Sequence, residues 1–517
     1  DAFTDTADSG QEAEDEPAED LEPAAETSQP ARARPPGGGA RAGKPARRKP
    51  ARRPERQVAA AVRVTNWLAK GQSLAQRAVV LLVLVVVLPL LALGGTAVSW
   101  LIMEEDPTQA FSALQQAPSR SLPDYKRNGY ILLYGFGARE ERDPMQVGYE
   151  SWLGREPNPT AGCFDPLAET RARLQFAGDR SVLDQWFDAQ DPAAAFAQQA
   201  DAINQAAAIN QTLMSRYPRL FGMAFEDWGF GHPGSPQCAE ILATHRLYVA
   251  QGFAERGLSV GLGRLEVDLT AWRAILREAK SLSLKVLALQ AVRDDTAVIS
   301  GLLQRRELNP DFLPDLMRIT EPLKQDERSL KWPMQDQFAM DVARGQQRIR
   351  TQAEGAYALL VEFLKVMPLP DQRILNDHAE YYDAMIKASE NSFGPFPKQY
   401  DYVQAPAKTL LDYLTNPVDN ILLTRSKPAW EGYRNAILEV DTRLRLAGLQ
   451  ARVYGAGGNR EIIERIARAG SGFFDPFTGL PMLVNRVAGI VYSVGPNGMD
   501  DNGDPSMDIT APLVLRG

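Results

Sequence analysis

The most regular feature of the hydrophobic pattern is an unbroken apolar run of 26 residues from Ala78 to Met103. A helix needs about 20 apolar residues to cross the hydrocarbon core of a bilayer, so residues 78–103 predict one transmembrane helix. Pro89 lies inside this run and predicts a mild kink, because proline cannot donate a backbone hydrogen bond. The alternative is a very apolar helix that is buried in a soluble core.

Beyond the run, apolar residues recur three and four positions apart, which is the period of an amphipathic helix. The clearest stripe includes Trp272, Ile275 and Leu289, within a helix predicted over residues 266–293. The same spacing predicts helices over residues 192–216, 239–256, 294–306, 338–367, 371–391, 406–415, 428–454 and 460–469. We interpret residues 239–306 as two helical hairpins, faintly similar to tetratricopeptide repeats.

The pattern changes near the C-terminus, where residues 487–494 predict a strand followed by a loop rich in Gly, Pro, Asn and Asp. A small antiparallel sheet packed on the helix 428–454 is the expected result. The predicted fold is therefore mainly α. It consists of one transmembrane helix, an extracytoplasmic helical-hairpin domain and a small C-terminal α+β module.

Charge divides the region before the apolar run into two parts. Residues 1–30 contain eleven carboxylates and no Lys or Arg, whereas residues 31–77 contain thirteen Lys and Arg. Residues 1–57 have too few apolar side chains to offset the entropy of folding, which predicts a disordered tail. Residues 58–77, which include Trp67, predict a short interfacial helix.

The charges that flank the run also predict its orientation. Arg77 precedes it and Glu104 follows it, so the positive-inside rule places the N-terminus in the cytoplasm. We then expect a protein of the inner membrane with a periplasmic helical domain over residues 104–427 and a C-terminal module over residues 428–517.

The charge pattern also constrains the partners. The basic segment 41–56, which begins at Arg41 and ends at Arg56, is suited to anionic lipid headgroups, and the alternative is an arm that binds nucleic acid. The formal net charge of the chain is −8, and binding nucleic acid requires clustered Lys and Arg, so no nucleic-acid partner is expected for the exterior. Other membrane or periplasmic proteins are the predicted partners.

The chain has two cysteines, Cys163 and Cys238, and both follow the apolar run. In the oxidising exterior compartment this pair predicts one disulfide. The alternative is two unpaired buried thiols.

The histidines give no sign of metal-dependent catalysis. His232, His245 and His378 are far apart and lie in no H-E-x-x-H or Cys/His pattern. No Walker A or G-x-S-x-G motif occurs in the sequence. We expect His245 and His378 to be packing or surface residues and Trp272 to belong to the core.

The remaining catalytic candidate is the segment 225–232, in which Glu226 and Asp227 lie among aromatic residues and close to His232. Two carboxylates can act as acid and base in glycan cleavage. The alternative is that they cap a helix or solvate a loop, and we predict that the protein is not an enzyme.

Two resemblances add to this picture. The segments NGYILLYGF (128–136), LTAWRAILREAKSLSLKVLALQAVRDDTAVISGLL (269–303) and DPFTGLPM (475–482) resemble uncharacterised proteobacterial membrane-anchored proteins. That group has an N-terminal anchor and an extracytoplasmic helical domain. The resemblance implies the same location and fold and assigns no activity.

Residues 440–509 resemble the C-terminal region of type II secretion major pseudopilins, where a related loop binds calcium. The resemblance implies oxygen ligands at Asp500, Asp501, Asn502, Asp504 and Asp508, which suit a hard cation. The chain departs from pseudopilins because no prepilin peptidase site precedes the apolar run. A surface turn without metal is the alternative, and no other cofactor is expected.

Together these patterns predict a membrane-anchored periplasmic interaction or scaffolding protein, an accessory subunit of an inner-membrane or envelope complex. The alternatives are a membrane-tethered hydrolase acting on peptidoglycan and a pseudopilin-related secretion component.

Overall fold

The structure, a computed structural model, describes residues 74–103, 105–154, 173–231, 234–351, 371–390 and 430–514. The predictions for the tail 1–57, for most of the interfacial segment and for a helix over 406–415 lie outside these residues. The chain divides into two compact units, Asp1–Gly95 and Thr96–Gly517. Helices predominate among the described residues, which confirms the predicted mainly α fold.

Three helical elements follow one another in the apolar segment. They are α1 (Leu74–Leu82), a π-helical turn (Val83–Val87) and α2 (Leu88–Met103). At the end of the π turn the N–H of Leu88 donates to the carbonyl of Val83, and the next residue, Pro89, has no N–H to donate. In the described part of the chain no single helix is both long enough and apolar enough to cross a membrane.

Short helices then lead to the centre of the domain. They are α3 (Gln109–Gln115), α4 (Gly129–Tyr134), α5 (Pro144–Leu153), α6 (Arg180–Phe187), α7 (Pro192–Gln198), α8 (Ala200–Ile209) and α9 (Gln211–Arg216). The prediction of one helix over residues 192–216 is therefore wrong. One break falls at Asn210, whose side-chain amide accepts a hydrogen bond from the N–H of Ala177 and donates to its carbonyl.

Three long helices form the centre of the domain: α10 (Cys238–Arg256), α11 (Leu258–Glu278) and α12 (Leu282–Leu302). Gly257, with φ 79°, joins α10 to α11 in a backbone conformation that favours glycine. α11 packs on both α10 and α12, as the predicted hairpins require. Trp272 is fully buried in α11, in the core position that its stripe predicted.

The predicted helix boundary at residue 293 is wrong, since the chain breaks instead between Glu278 and Leu282. There the backbone N–H groups of Lys280 and Ser281 donate to the carboxylate of Asp227. The Ser281 hydroxyl then accepts from the N–H of Leu284 and caps α12. A distant carboxylate therefore helps to set this boundary, and the local periodicity contains no sign of it.

The remaining helices are α13 (Leu313–Ile319), α14 (Gln325–Arg328), α15 (Lys331–Thr351), α16 (Asp371–Glu390), α17 (Trp430–Val453) and α18 (Asn459–Ala469). α15 begins seven residues before the predicted start at residue 338. Leu330, Met334 and Phe338 are all buried, so the apolar stripe extends back to the start of this helix.

The C-terminal sheet is antiparallel in the order β1 (Leu483–Asn485), β2 (Ile490–Ser493), β3 (Ile509–Pro512). Leu446 and Leu449 of α17 form a buried cluster with Val491, Ile509 and other apolar side chains of the module. The predicted sheet on the helix 428–454 is confirmed.

Candidate functional site

The loop between β2 and β3 contains the predicted calcium ligands, and hydrogen bonds within this module engage several of them. Oδ1 of Asp500 accepts from the Tyr492 hydroxyl at 2.9 Å and from the N–H of Asn502 at 2.9 Å. Oδ2 of Asp501 accepts from the side-chain amide of Asn497 at 2.9 Å, and Oδ1 of Asp504 accepts from both the N–H and the hydroxyl of Ser506. These bonds are those of a tight polar turn.

Asp508 differs from the other ligands of this loop because it is 4% exposed. Its Oδ2 accepts from the N–H of Gly503 at 2.7 Å, whereas its buried Oδ1 has no hydrogen-bond partner. Burial raises the pKa of Asp508, and the negative charges of Asp501 and Asp500 act in the same direction. An oxygen in this position fits the predicted cation.

The carboxylates of Glu226 and Asp227 point to different parts of the chain. Glu226 accepts hydrogen bonds from the N–H groups of Ser121 (2.7 Å) and Leu122 (2.9 Å) and from the indole N–H of Trp228 (3.0 Å). Burial raises the pKa of Glu226, but these hydrogen bonds outweigh burial, and its pKa lies below the usual value.

Asp227 is buried and accepts hydrogen bonds from the N–H groups of Gly229, Lys280 and Ser281. Burial raises its pKa despite these donors. Asp227 therefore joins the aromatic loop to the start of α12. This is a structural role, close to the capping role given above as the alternative to catalysis. The third residue of the predicted cluster, His232, lies outside the described residues.

The predicted disulfide involves one residue that the structure does not describe, Cys163. Cys238 is fully buried and is the first residue of α10. The pairing of the two cysteines stays a prediction.

A buried polar cluster, which no sequence motif marked, lies between the central helices. It consists of Tyr217, His245 of α10, Asp268 and Trp272 of α11, and Asp295 of α12, and none of these side chains is more than 1% exposed. We call these five residues the buried polar cluster.

Tyr217 lies at the centre of this cluster. Its hydroxyl donates to Oδ1 of Asp268 at 2.7 Å, accepts from the indole N–H of Trp272 at 2.6 Å and lies 3.0 Å from Nδ1 of His245. Burial and the charge of Asp268 raise the pKa of Tyr217 well above its ordinary value. The hydroxyl is therefore neutral at physiological pH.

His245 is placed between the two carboxylates. Its Nδ1 lies 2.8 Å from Oδ2 of Asp268, and its Nε2 lies 4.0 Å from Oδ1 of Asp295. Oδ2 of Asp268, Nε2 of His245 and both oxygens of Asp295 have no hydrogen-bond partner. Burial, followed by the charge of Asp268, raises the pKa of Asp295 well above its ordinary value.

Among the described residues, His245, Asp268 and Asp295 form the one group of three His, Cys, Asp or Glu side chains whose ligand atoms all lie within 4.8 Å of one another. The carboxylates of the β2–β3 loop do not form such a group. One signal of the cluster is present in the sequence. Asp268 lies four residues before Trp272, so it places a carboxylate on the apolar stripe of its helix.

Comparison of the chain with protein-family models, with curated proteins and with solved structures finds no match.

Proposed function

We propose that this chain is a single-pass inner-membrane protein whose helical domain lies in the periplasm and serves as an interaction or scaffolding subunit of an envelope complex. The observation that carries the proposal is the exposure of the apolar helical segment. Leu81 is 63% exposed, Leu91 is 66% exposed and Ile102 is 77% exposed.

Apolar surface in water is unfavourable by roughly 25 cal/mol for each Å². A helix that is hydrophobic on all sides is accounted for by a surrounding protein core or by lipid. No Lys, Arg, Asp or Glu occurs between Arg77 and Glu104, which supports lipid as the surroundings. The basic residues before the run and the acidic residues after it support a cytoplasmic N-terminus.

The C-terminal module offers apolar side chains for contact with a protein partner. Val487, between β1 and β2, is fully exposed, and Leu480 is 64% exposed. Met499 and Met507 are also exposed, and methionine side chains adapt to partners of different shape. The basic segment 41–56 would hold the tail at anionic headgroups.

The geometry of Glu226 favours this role over the hydrolase alternative. A general acid in glycan cleavage needs a raised pKa, so that it still holds its proton near neutral pH. Hydrogen bonds lower the pKa of Glu226, and both of its oxygens already accept protein donors. The pKa of Asp227 is raised, but this carboxylate is buried and is held by three N–H groups, so it is not accessible to a glycan.

A pseudopilin-related secretion component is the second candidate, and the partnerless Oδ1 of Asp508 is the observation in its favour. Calcium should raise the melting temperature of the detergent-solubilised full chain, because a ligand that binds the folded state stabilises it. The Asp508→Asn variant should lose this rise, whereas the exposed Asp315→Asn variant should keep it. An equal melting temperature with calcium and with chelator would remove the calcium site.

The scaffolding role is tested by isolating the full chain in native nanodiscs and identifying its companions by mass spectrometry. The expected result is a partner in fixed stoichiometry that is absent when residues 104–517 are deleted. Recovery of the full chain without a stoichiometric companion would contradict the role as a subunit.

A further inference from the structure

The buried polar cluster lacks hydrogen-bond donors for its acidic groups. Asp295 is fully buried, and with both carboxylates ionised no protein N–H or O–H reaches either of its oxygens. Oδ2 of Asp268 has Nδ1 of His245 2.8 Å away, but this contact does not have the geometry of a hydrogen bond. Buried polar groups without partners are unfavourable by about 1–3 kcal/mol each, so such a set requires a physical explanation.

Other buried charges on the same helices do have partners. The adjacent Asp294 pairs with Arg246 at 2.6 Å and accepts from the amide of Gln290. The ammonium group of Lys285 donates to the carbonyls of Leu276 and Glu327. These two neighbouring charges therefore have the partners that the carboxylates of the cluster lack.

We propose that His245, Asp268 and Asp295 bind a divalent transition-metal ion of the zinc class, with the Tyr217 hydroxyl beside the ion. This inference does not depend on the proposed membrane-anchored role. The bound ion would coordinate one atom from each of these three side chains and would connect α10, α11 and α12 at one point.

The spacing and the donor types fit such an ion. Zinc binds His nitrogen and carboxylate oxygen at about 2.0–2.2 Å, so the ligand atoms of a tetrahedral site lie roughly 3.3–3.6 Å apart. The ligand atoms here lie within 4.8 Å of one another, so binding requires the side chains to approach one another by about 1 Å. Calcium would need six to eight oxygen ligands, and the imidazole nitrogen favours a transition metal instead.

The charges also balance. A divalent cation with two ionised carboxylates, a neutral imidazole and a neutral phenol has no net charge, which a fully buried site requires. The burial of every ligand argues for a structural ion without an open position for substrate.

The competing explanation is a proton shared between the carboxyl groups of Asp295 and Asp268, which would lower the charge of the cluster from −2 to −1 while the imidazole is neutral. The Asp295→Asn variant separates the two explanations. Its amide can donate to Asp268 as a protonated Asp295 would, but an amide is a poor replacement for an anionic metal ligand.

The test uses the full chain in detergent, first stripped with a chelator and then dialysed against zinc. We expect about one more zinc ion per chain in the wild type than in Asp295→Asn, and a zinc-dependent rise in melting temperature that Asp295→Asn lacks. The matched control is Asp294→Asn, which removes the same charge one residue earlier and should keep both signals.

Cobalt provides a second readout, because a four-coordinate site with nitrogen and oxygen ligands gives visible absorption bands. These bands should form in the wild type and in Asp294→Asn and be absent in Asp295→Asn and His245→Gln. Equal zinc content in the wild type and Asp295→Asn, with no effect of zinc on either melting temperature, would overturn the proposal. If Asp295→Asn fails to fold, His245→Gln takes its place in the comparison of metal content. The melting temperature of the wild type stripped of metal, with and without added zinc, then gives the second measurement.

Discussion

The apolar segment 74–103 and the central helices α10 to α12 depart from the usual distribution of side chains in opposite directions. The first exposes side chains such as Leu91 and Ile102, which ordinarily lie inside a protein. The second buries His245, Asp268 and Asp295 completely, although such groups ordinarily lie outside. Both departures are costly for a chain in water by itself.

The difference teaches what each region needs from its surroundings. Exposed apolar surface becomes favourable in a lipid environment, where no hydrogen bonds are missing because the helix satisfies its own backbone. Buried carboxylates become favourable when a cation, a proton or a hydrogen-bond donor reaches them. The first region therefore supports the location that we propose, and the second leaves a choice between the cation that we propose and a shared proton.

The largest expected effect comes from placing charge in the apolar segment. The double variant Val85→Asp, Leu91→Asp should lose membrane insertion, because each Asp near the centre of a bilayer is unfavourable by about 2.5–3.5 kcal/mol. Carbonate extraction of membranes measures this loss. The control is Leu480→Asp, which places charge at a similarly exposed leucine in the C-terminal module and should stay in the membrane fraction. Equal extraction of both variants would contradict the assignment of the apolar segment to the membrane.

The next largest effect is expected in the buried polar cluster. Asp268→Ala leaves two buried groups, the hydroxyl of Tyr217 and Nδ1 of His245, without their neighbour, and each buried group left without a partner destabilises by about 1–3 kcal/mol. Denaturant unfolding of the full chain in detergent measures the change. A loss below about 1 kcal/mol would mean that this cluster contributes no more than a surface pair does.

A smaller effect is expected at Glu226, a buried carboxylate that has its donors. Glu226→Gln puts an amide group opposite N–H donors and should destabilise by about 1–3 kcal/mol. Because the folded pKa is below the usual value of 4.5, Glu226 stabilises the fold above that pH, and this contribution is lost as the pH falls through the folded pKa. Unfolding as a function of pH should show a smaller loss of stability in acid for Glu226→Gln than for the control Glu278→Gln, whose side chain is 39% exposed.

The smallest effect is expected for an exposed charge. Asp315 pairs with Arg318 at 3.2 Å, and both side chains are more than half exposed. Exposed pairs contribute about 0–1 kcal/mol, so Asp315→Ala should leave the unfolding free energy almost unchanged. A loss as large as that of Asp268→Ala would remove the distinction between buried and exposed carboxylates.

Much of the helical architecture could be predicted from local pattern. The helix α10 and the sheet on α17 follow from three-and-four spacing and from the strand signal near residue 490. The break between α11 and α12 could not be predicted, because it depends on the Asp227 carboxylate, about 50 residues away, binding the N–H groups of Lys280 and Ser281. Local periodicity does not contain a contact of that kind.

The candidate site was harder to predict for the same reason. His245, Asp268 and Asp295 lie on three different helices, and no spacing along the chain connects them. The candidate ligands of the loop 500–508 can be predicted from the sequence because they lie close together along the chain. The structure nevertheless leaves just one of its side-chain oxygens, Oδ1 of Asp508, buried without a partner.

The proposed arrangement in the membrane is tested most directly by adding protease to intact spheroplasts that contain the chain with an epitope at its C-terminus. The account predicts that the epitope and the helical domain are digested without lysis, while a fragment with the apolar segment stays in the membrane. An epitope that survives until the cells are lysed would contradict the account.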